Sequence, residues 1–433
     1  MDDLRDTQRT LDLALRIGEL LMSNGAGAAD VAATMSSICH HLGLRSTLVD
    51  VTFTTLTLSH QHSVDQPPVT MRRHVTHREI DYADLTAVDL LVSELLVDGI
   101  DRDDAAAEIA RLSSTGRPYP RWLVTLAWGV TGAGVALLIG GDWIVMLVAA
   151  FAAGCIEVLQ RRLERRRLPL FYSQVAGSLL ATLIAVGLAA TPLPLSPSLV
   201  VSASIVTLLA GLGFVGSIQD ALTGFYITAN ARVMEVLIAT IGILVGVSLG
   251  LGLGNALGVD FLLDPGTARL SQLPSVVGGA AICAAGFAVS AYSPIRVLLP
   301  VGLIAGGATG LAFVLQQNGL DRAPSAAVAA VAIGFVSYAA GRSFRVPPLI
   351  IVVSCIVPLL PGLSIYRGLA LLGNDDLTGL LSMITAGGVA IALSAGVLLG
   401  EYVAQPVGRE ARRLERRLSG PRLVGPLRAR TRR

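Results

Sequence analysis

The chain contains no lysine; all 33 basic residues are arginine. Charge of either sign is scarce, at 15% of 433 residues, where soluble domains carry about 25%. Arginine-rich clusters suggest nucleic acid only when they cover a polar face. Here they flank apolar runs, so no nucleic-acid partner is expected. Cysteine is nearly absent: Cys39, Cys155, Cys283 and Cys355 are scattered, three of them inside apolar stretches, with no CxxC pair. That pattern predicts neither a disulfide nor a thiolate metal site. The opening Met1-Asp2-Asp3-Leu4-Arg5 has no signal-peptide core, so the N-terminal region is expected to stay cytoplasmic. Neither a Gly-rich phosphate loop nor a nucleophile elbow occurs, which argues against ATP-driven transport, against an enzyme and against a bound cofactor.

What is abundant is apolar sequence. Hydrophobic residues make up 53% of the chain, and the mean hydropathy is +0.66. After about residue 118 the apolar runs are about 18 to 25 residues long, enough for a helix to cross a hydrocarbon core roughly 30 Å thick. They lack the amphipathic period of a soluble core helix. The reading is a polytopic α-helical membrane protein with about ten transmembrane helices. The spans fall at 121–140, 143–160, 171–190, 198–218, 232–253, 273–291, 295–315, 325–341, 347–372 and 378–404. One set of loops carries Arg161, Arg162, Arg165, Arg166, Arg167, Arg232, Arg296, Arg342 and Arg345, and the tail adds Arg409, Arg412, Arg413, Arg416 and Arg417. The opposite loops hold only Arg269 and Arg322, with Asp142, Asp260, Asp264, Asp375 and Asp376. The positive-inside rule then places both termini in the cytoplasm of a multi-pass protein of the plasma membrane.

The first quarter differs. Helical spacing over 8–24 ends at Gly25, a second helix over 28–42 ends at Gly43, and the β-branched stretch 47–58 predicts a strand or strand pair. Another strand is expected over 69–75, then helices over 82–98 and 102–113, the latter with Asp101 as candidate N-cap. The expected organisation is a soluble α+β domain at 1–117, transmembrane repeat 1 at 118–260, repeat 2 at 261–406 and an Arg-rich tail at 407–433. The repeat is read from Leu208-Leu209-Ala210-Gly211-Leu212 against Leu359-Leu360-Pro361-Gly362-Leu363, and from Val158-Leu159-Gln160 against Val314-Leu315-Gln316. Five helices per copy is an odd number, so the second copy must insert upside down, giving two inverted five-helix repeats. Such repeats place substrate sites at their interface on broken helices.

Two spans look broken. In the ninth, Pro358, Pro361 and Gly362 interrupt the helix, and freed backbone groups there can face a ligand. The half-helix that follows offers N-terminal amides to a carboxylate, with Arg367 as counter-charge, or as a side chain that snorkels to the interface. The fourth span has Gly211-Leu212-Gly213 and is followed by Asp220, Gly224, Asn230, Arg232 and Glu235. Ionisable residues in apolar sequence are costly and tend to mark pathways or proton relays. Arg232 and Glu235, at i and i+3, are also placed to pair with each other. Glu157 is a further candidate, or simply a partner for Arg161 one turn on. The glycines at 129, 132 and 134 and at 302, 306 and 310 are read as close helix packing. His40, His41, His60, His62, His74 and His77 all lie in the soluble domain, and no signature assembles four of them around a metal.

This order of motifs resembles the threonine/serine exporter family in its single-chain actinobacterial form. The head is similar through Leu20-Leu21-Met22-Ser23-Asn24-Gly25-Ala26, the Thr-rich strand Val51 to Leu58, Thr70 to Val75, and Glu79-Ile80-Asp81-Tyr82-Ala83-Asp84-Leu85. The membrane part is similar through Asp220-x-x-x-Gly224, Arg232 and the Pro361-Gly362 step. Asp30 and Ala32 stand where many relatives carry an Arg and a Glu. The resemblance implies secondary active export of threonine and serine driven by the proton motive force. The residues alone also admit an exporter or channel for another small solute, or a membrane-anchored sensor or enzyme acting through the head. A homo-oligomer is left open.

Overall fold

The computed structural model describes residues 2–63, 65–75, 80–114, 116–191, 197–208, 211–258, 272–362, 364, 365, 368, 371 and 377–418. They divide into two compact units.

The first unit takes the chain up to Pro118, the short segment Thr223–Thr228 and the residues from Tyr402 onward. Helices α1 (Asp2–Ser23) and α2 (Ala28–His41) precede strands β1 (Thr47–Val51), β2 (Thr55–His60) and β3 (Val69–His74). Helices α3 (Tyr82–Leu95) and α4 (Arg102–Ser114) follow. The antiparallel sheet has the order β1-β2-β3, with Asp50 opposite Thr57 and Thr57 opposite Arg72. Strand β2 alternates strictly, burying Leu56, Leu58 and His60 and leaving its threonines on the other face. That buried face meets α1 and α2 at Gly18, where a Cβ would lie 2.4 Å from Met35 Sδ and 3.2 Å from Leu56 Cδ1. Gly25, at φ +95°, ends α1, with Ala26 N–H donating to Leu21 C=O. Asp81 caps α3 by accepting from the N–H groups of Ala83 (3.0 Å) and Asp84 (3.2 Å). Arg73 on β3 ties the sheet to Asp12 and Glu19 of α1. Thr228 Oγ1 lies 3.4 Å from Val51 C=O, so the short segment meets the end of β1.

Among its described residues the second unit is built from helices joined by short connections. In chain order it has α5 (Arg121–Leu138), α6 (Trp143–Arg165), α7 (Leu170–Ala189), α8 (Pro197–Leu208), α9 (Gly211–Leu222) and α10 (Tyr226–Ala256). Then come α11 (Leu273–Ser290), α12 (Leu298–Gln317), α13 (Arg322–Phe344), α14 (Pro348–Ile356) and α15 (Thr378–Leu418). Among the described residues, eight helices are long and apolar enough to cross a membrane, or nine if α8 and α9, bent by 43°, count as one span. The Pro348–Leu359 helix is apolar but shorter. The chain is therefore a polytopic helical membrane protein. The last helix also runs on to Leu418, through much of the Arg-rich stretch read from sequence as a separate tail. Arg, Glu and Leu, which dominate residues 409–418, are all strong helix formers.

Helices α5 and α11 form a close seam, and they run antiparallel. A Cβ at Gly134 would lie 2.4 Å from the Cys283 backbone nitrogen, and one at Gly279 2.6 Å from that of Leu138. One at Gly286 would lie 2.8 Å from the Thr131 nitrogen. Without glycine at these positions the two backbones could not touch. In lipid such close van der Waals packing, rather than hydrophobic transfer, holds helices together.

Candidate functional site

The site begins at a turn in the sequence. Gly224 adopts φ +93° between α9 and α10, a conformation that side chains with a Cβ rarely accept. The chain reverses there, and Arg232 on α10 comes back to Asp220 on α9. Arg232 Nη1 sits 3.2 Å from Asp220 Oδ2, and the Asp220 side chain is 1% exposed and that of Arg232 14%. One turn before Asp220, Gly216 makes the room: a Cβ there would lie 2.8 Å from Arg232 Nη1. The carboxylate and the guanidinium thus form one ion pair, in space that the glycine leaves open. The expected i, i+3 pairing of Arg232 with Glu235 gives way to it, and Glu235 lies exposed, as do Asn230 and Gly224.

The other end of α9 lies against the second broken span. A Cβ on Gly211 would lie 3.1 Å from Leu360 Cβ. Leu360 is where the ninth apolar run breaks: α14 gives way to a 3₁₀ turn, Val357–Leu359, and Leu360 turns extended at ψ 137°. The proline at 358 cannot donate to the preceding turn. Beyond the break, Ile365 N–H donates to Pro361 C=O at 3.1 Å, so helical bonding restarts at the buried Pro361-Gly362 step. The first residue of α9 therefore meets the break in the ninth apolar run. Helix α15 also joins the site: Ser394 Oγ, 2% exposed, lies 3.0 Å from Val215 C=O and 2.8 Å from Ala390 C=O.

Arg367 lies outside the described residues. Near the restarted helix Arg322 supplies a guanidinium, its Nη1 donating to Ser364 Oγ at 3.3 Å. Sequence reasoning left Arg322 as a loop charge and passed over Ser364 and Ser394. A single hydroxyl in an apolar run carries no signal until the fold shows what it faces. Glu157 belongs to a different cluster. It accepts from Arg161 Nε at 3.0 Å and from Thr125 Oγ1 at 3.0 Å, joining α6 to α5. This is the pairing with Arg161 that the sequence offered as its simpler role.

In the head, His41 Nε2 lies 3.0 Å from Asp98 Oδ1, His60 Nδ1 3.1 Å from Ser46 C=O and His74 Nδ1 3.4 Å from Thr55 Oγ1. His77 lies outside the described residues. No group of three His, Cys, Asp or Glu side chains placed to hold a metal occurs among the described residues. Burial pushes the Asp81 carboxyl up to about 6, against the lowering effect of its cap bonds. It pushes the Cys39 thiol up to about 11.

The family model "Putative threonine/serine exporter" matches residues 12–254, and a second, "Threonine/Serine exporter, ThrE", matches residues 277–403. The chain is 36% identical over 432 residues to a Mycobacterium tuberculosis protein named "Probable threonine/serine exporter", covering 97% of this chain and 81% of that protein. It is 34% identical over 413 residues to the "Threonine/serine exporter" of Corynebacterium glutamicum, covering 93% of this chain and 84% of the relative. No solved structure matches.

Proposed function

The chain belongs to the threonine/serine exporter family, a family of transporters and not of enzymes, and from that premise we propose that it exports threonine and serine across the cytoplasmic membrane. Export is secondary active and driven by the proton motive force, with both termini in the cytoplasm, as the arginine asymmetry of the loops supports.

The observation that carries this reading is the meeting of two broken spans, Gly211 against Leu360, at one end of α9, with the buried Asp220–Arg232 pair at its other end. A small zwitterion needs an acceptor for its ammonium group, donors for its carboxylate and a polar contact for its hydroxyl. Carbonyls freed at the breaks supply the first, and the amides opening the half-helix after Pro361-Gly362 supply the second. Arg322 and Arg367 add positive charge for the carboxylate, and Ser364 and Ser394 offer hydroxyls. Asp220 exchanges its hold on Arg232 for a proton, which couples the gradient to the movement of α9 and α10 about Gly224. Asn230 and Glu235 line the approach on α10, and Glu157 serves to hold α5 to α6.

Ten spans arranged as two inverted repeats fit this scheme, with repeat 1 at 118–260 and repeat 2 at 261–406. The helix starts support it: 121 and 273, 170 and 322, and 226 and 378 are each 152 apart, as are 143 and 295, where the 3₁₀ turn Ile295–Val297 leads into α12, and 197 and 348 are 151 apart. Counterpart helices also pack alike: Gly246 of α10 meets Val175 C=O of α7, and Gly400 of α15 meets Val331 C=O of α13.

The test is to load cells with a threonine-containing dipeptide and follow labelled threonine leaving, with and without the protein and with a protonophore. Faster export that collapses on adding the protonophore and with Asp220→Asn is the expected result. Export indifferent to the protonophore removes the coupling, and export indifferent to Asp220→Asn and Arg322→Gln removes the site.

A further inference from the structure

The outer surface of α5 and α6 carries a groove of about 930 Å³ that the transport scheme does not use. Its walls are large and apolar: Trp122, Leu126 and Phe151 are 67%, 56% and 65% exposed. Its floor is cut by small residues, among them Gly129 and Gly154. Along α5 the lining runs from Trp122 to Ala133, about 17 Å at the helical rise, close to one leaflet of a core roughly 30 Å thick. The two ends differ in charge. Arg162 lines the groove at the end where α5 begins and α6 finishes, and Arg121, Arg165 and Arg166 are exposed at that same end. The nearby carboxylate of Glu157 is already bonded to Arg161 and Thr125.

We propose that this groove is a binding site for an anionic diacyl phospholipid, with one acyl chain along the apolar floor and the headgroup phosphate on Arg162. The inference stands apart from the transport reading. A leaflet-long apolar slot suits an acyl chain, and a guanidinium recognises phosphate by paired, charge-assisted hydrogen bonds. A juxtamembrane basic residue favours an anionic lipid by about 1 kcal/mol, which is about a fivefold preference.

The experiment reconstitutes the full-length protein in vesicles of brominated phosphatidylglycerol or brominated phosphatidylcholine and reads tryptophan quenching, with Trp122→Phe identifying the Trp122 signal. Stronger quenching of Trp122 by phosphatidylglycerol is expected, falling about fivefold in relative affinity in Arg162→Gln. Inorganic phosphate should not compete, because it lacks the chain. Gly154→Leu fills the floor where a Cβ meets only Thr125 at 3.7 Å, so the helices stay packed while both lipids lose access. Equal quenching by the two lipids, unchanged by Arg162→Gln, overturns the proposal. So does a Gly154→Leu protein that changes oligomeric state with its lipid preference intact, since a second copy would then cover the groove.

Discussion

At the scale of single residues, the Asp220–Arg232 pair and Gly216 act as one unit. Removing one member of a buried ion pair leaves an uncompensated charge and costs about 3–5 kcal/mol. Arg232→Gln is expected to lower stability in detergent by that order, and the double variant Asp220→Asn with Arg232→Gln to recover most of it. Simple additivity in the thermal melts would show that the two side chains do not depend on each other. Gly216→Ala alters no charge, yet its methyl would crowd Arg232 Nη1 at 2.8 Å, so it should reproduce part of the Arg232→Gln loss. In the head, Asp81 behaves in the opposite sense from a salt-bridged acid. Its carboxyl is raised from 3.8 to about 6 by burial, so the native state holds the proton more tightly than the unfolded one. The destabilisation is complete above about pH 6 and is relieved as pH falls through 6 towards 3.8. Hydrogen exchange of α3 should therefore speed up from pH 4 to pH 6, after correction for intrinsic rates. Asp81→Asn, which caps as well, should remove that dependence.

At the scale of elements, the two interrupted spans were legible because proline and glycine act locally. Pro358, Pro361 and Gly362 mark a break wherever the chain goes, and the break at Leu360 follows from their chemistry alone. The head was legible for a similar reason. The alternation of β2 and the stop at Gly25 are short-range signals, and the elements expected over 28–113 lie within a few residues of those found, whereas the first helix, expected from residue 8, begins at Asp2. The partners were not legible. Arg232 has Glu235 at helical spacing, and only the reversal at Gly224 brings Asp220 nearer. Arg322 and Ser364 are 42 residues apart, and nothing between them marks that they meet. The contact between the breaks can itself be tested. Gly211→Val adds branching where the first carbon already stands 3.1 Å from Leu360 Cβ, forcing the interruptions apart. Threonine export should fall at least tenfold while membrane insertion, judged by protein level, is kept.

At the scale of the whole molecule, the chain is a polytopic helical member of a transporter family. The seam between α5 and α11 has a mechanical consequence. Three glycines there bring backbone against backbone, at 131 with 286, 134 with 283 and 138 with 279. A slide of one residue would drive a Cβ into the opposing main chain, so the seam resists shear as a keyed shaft does. Tilting about it meets no such obstacle. The two helices should therefore serve as an axle, staying fixed to each other while the broken spans swing. Spin labels placed on α5 and α11 should report one distance whether threonine is present or absent, and labels on α9 and α14 should report two.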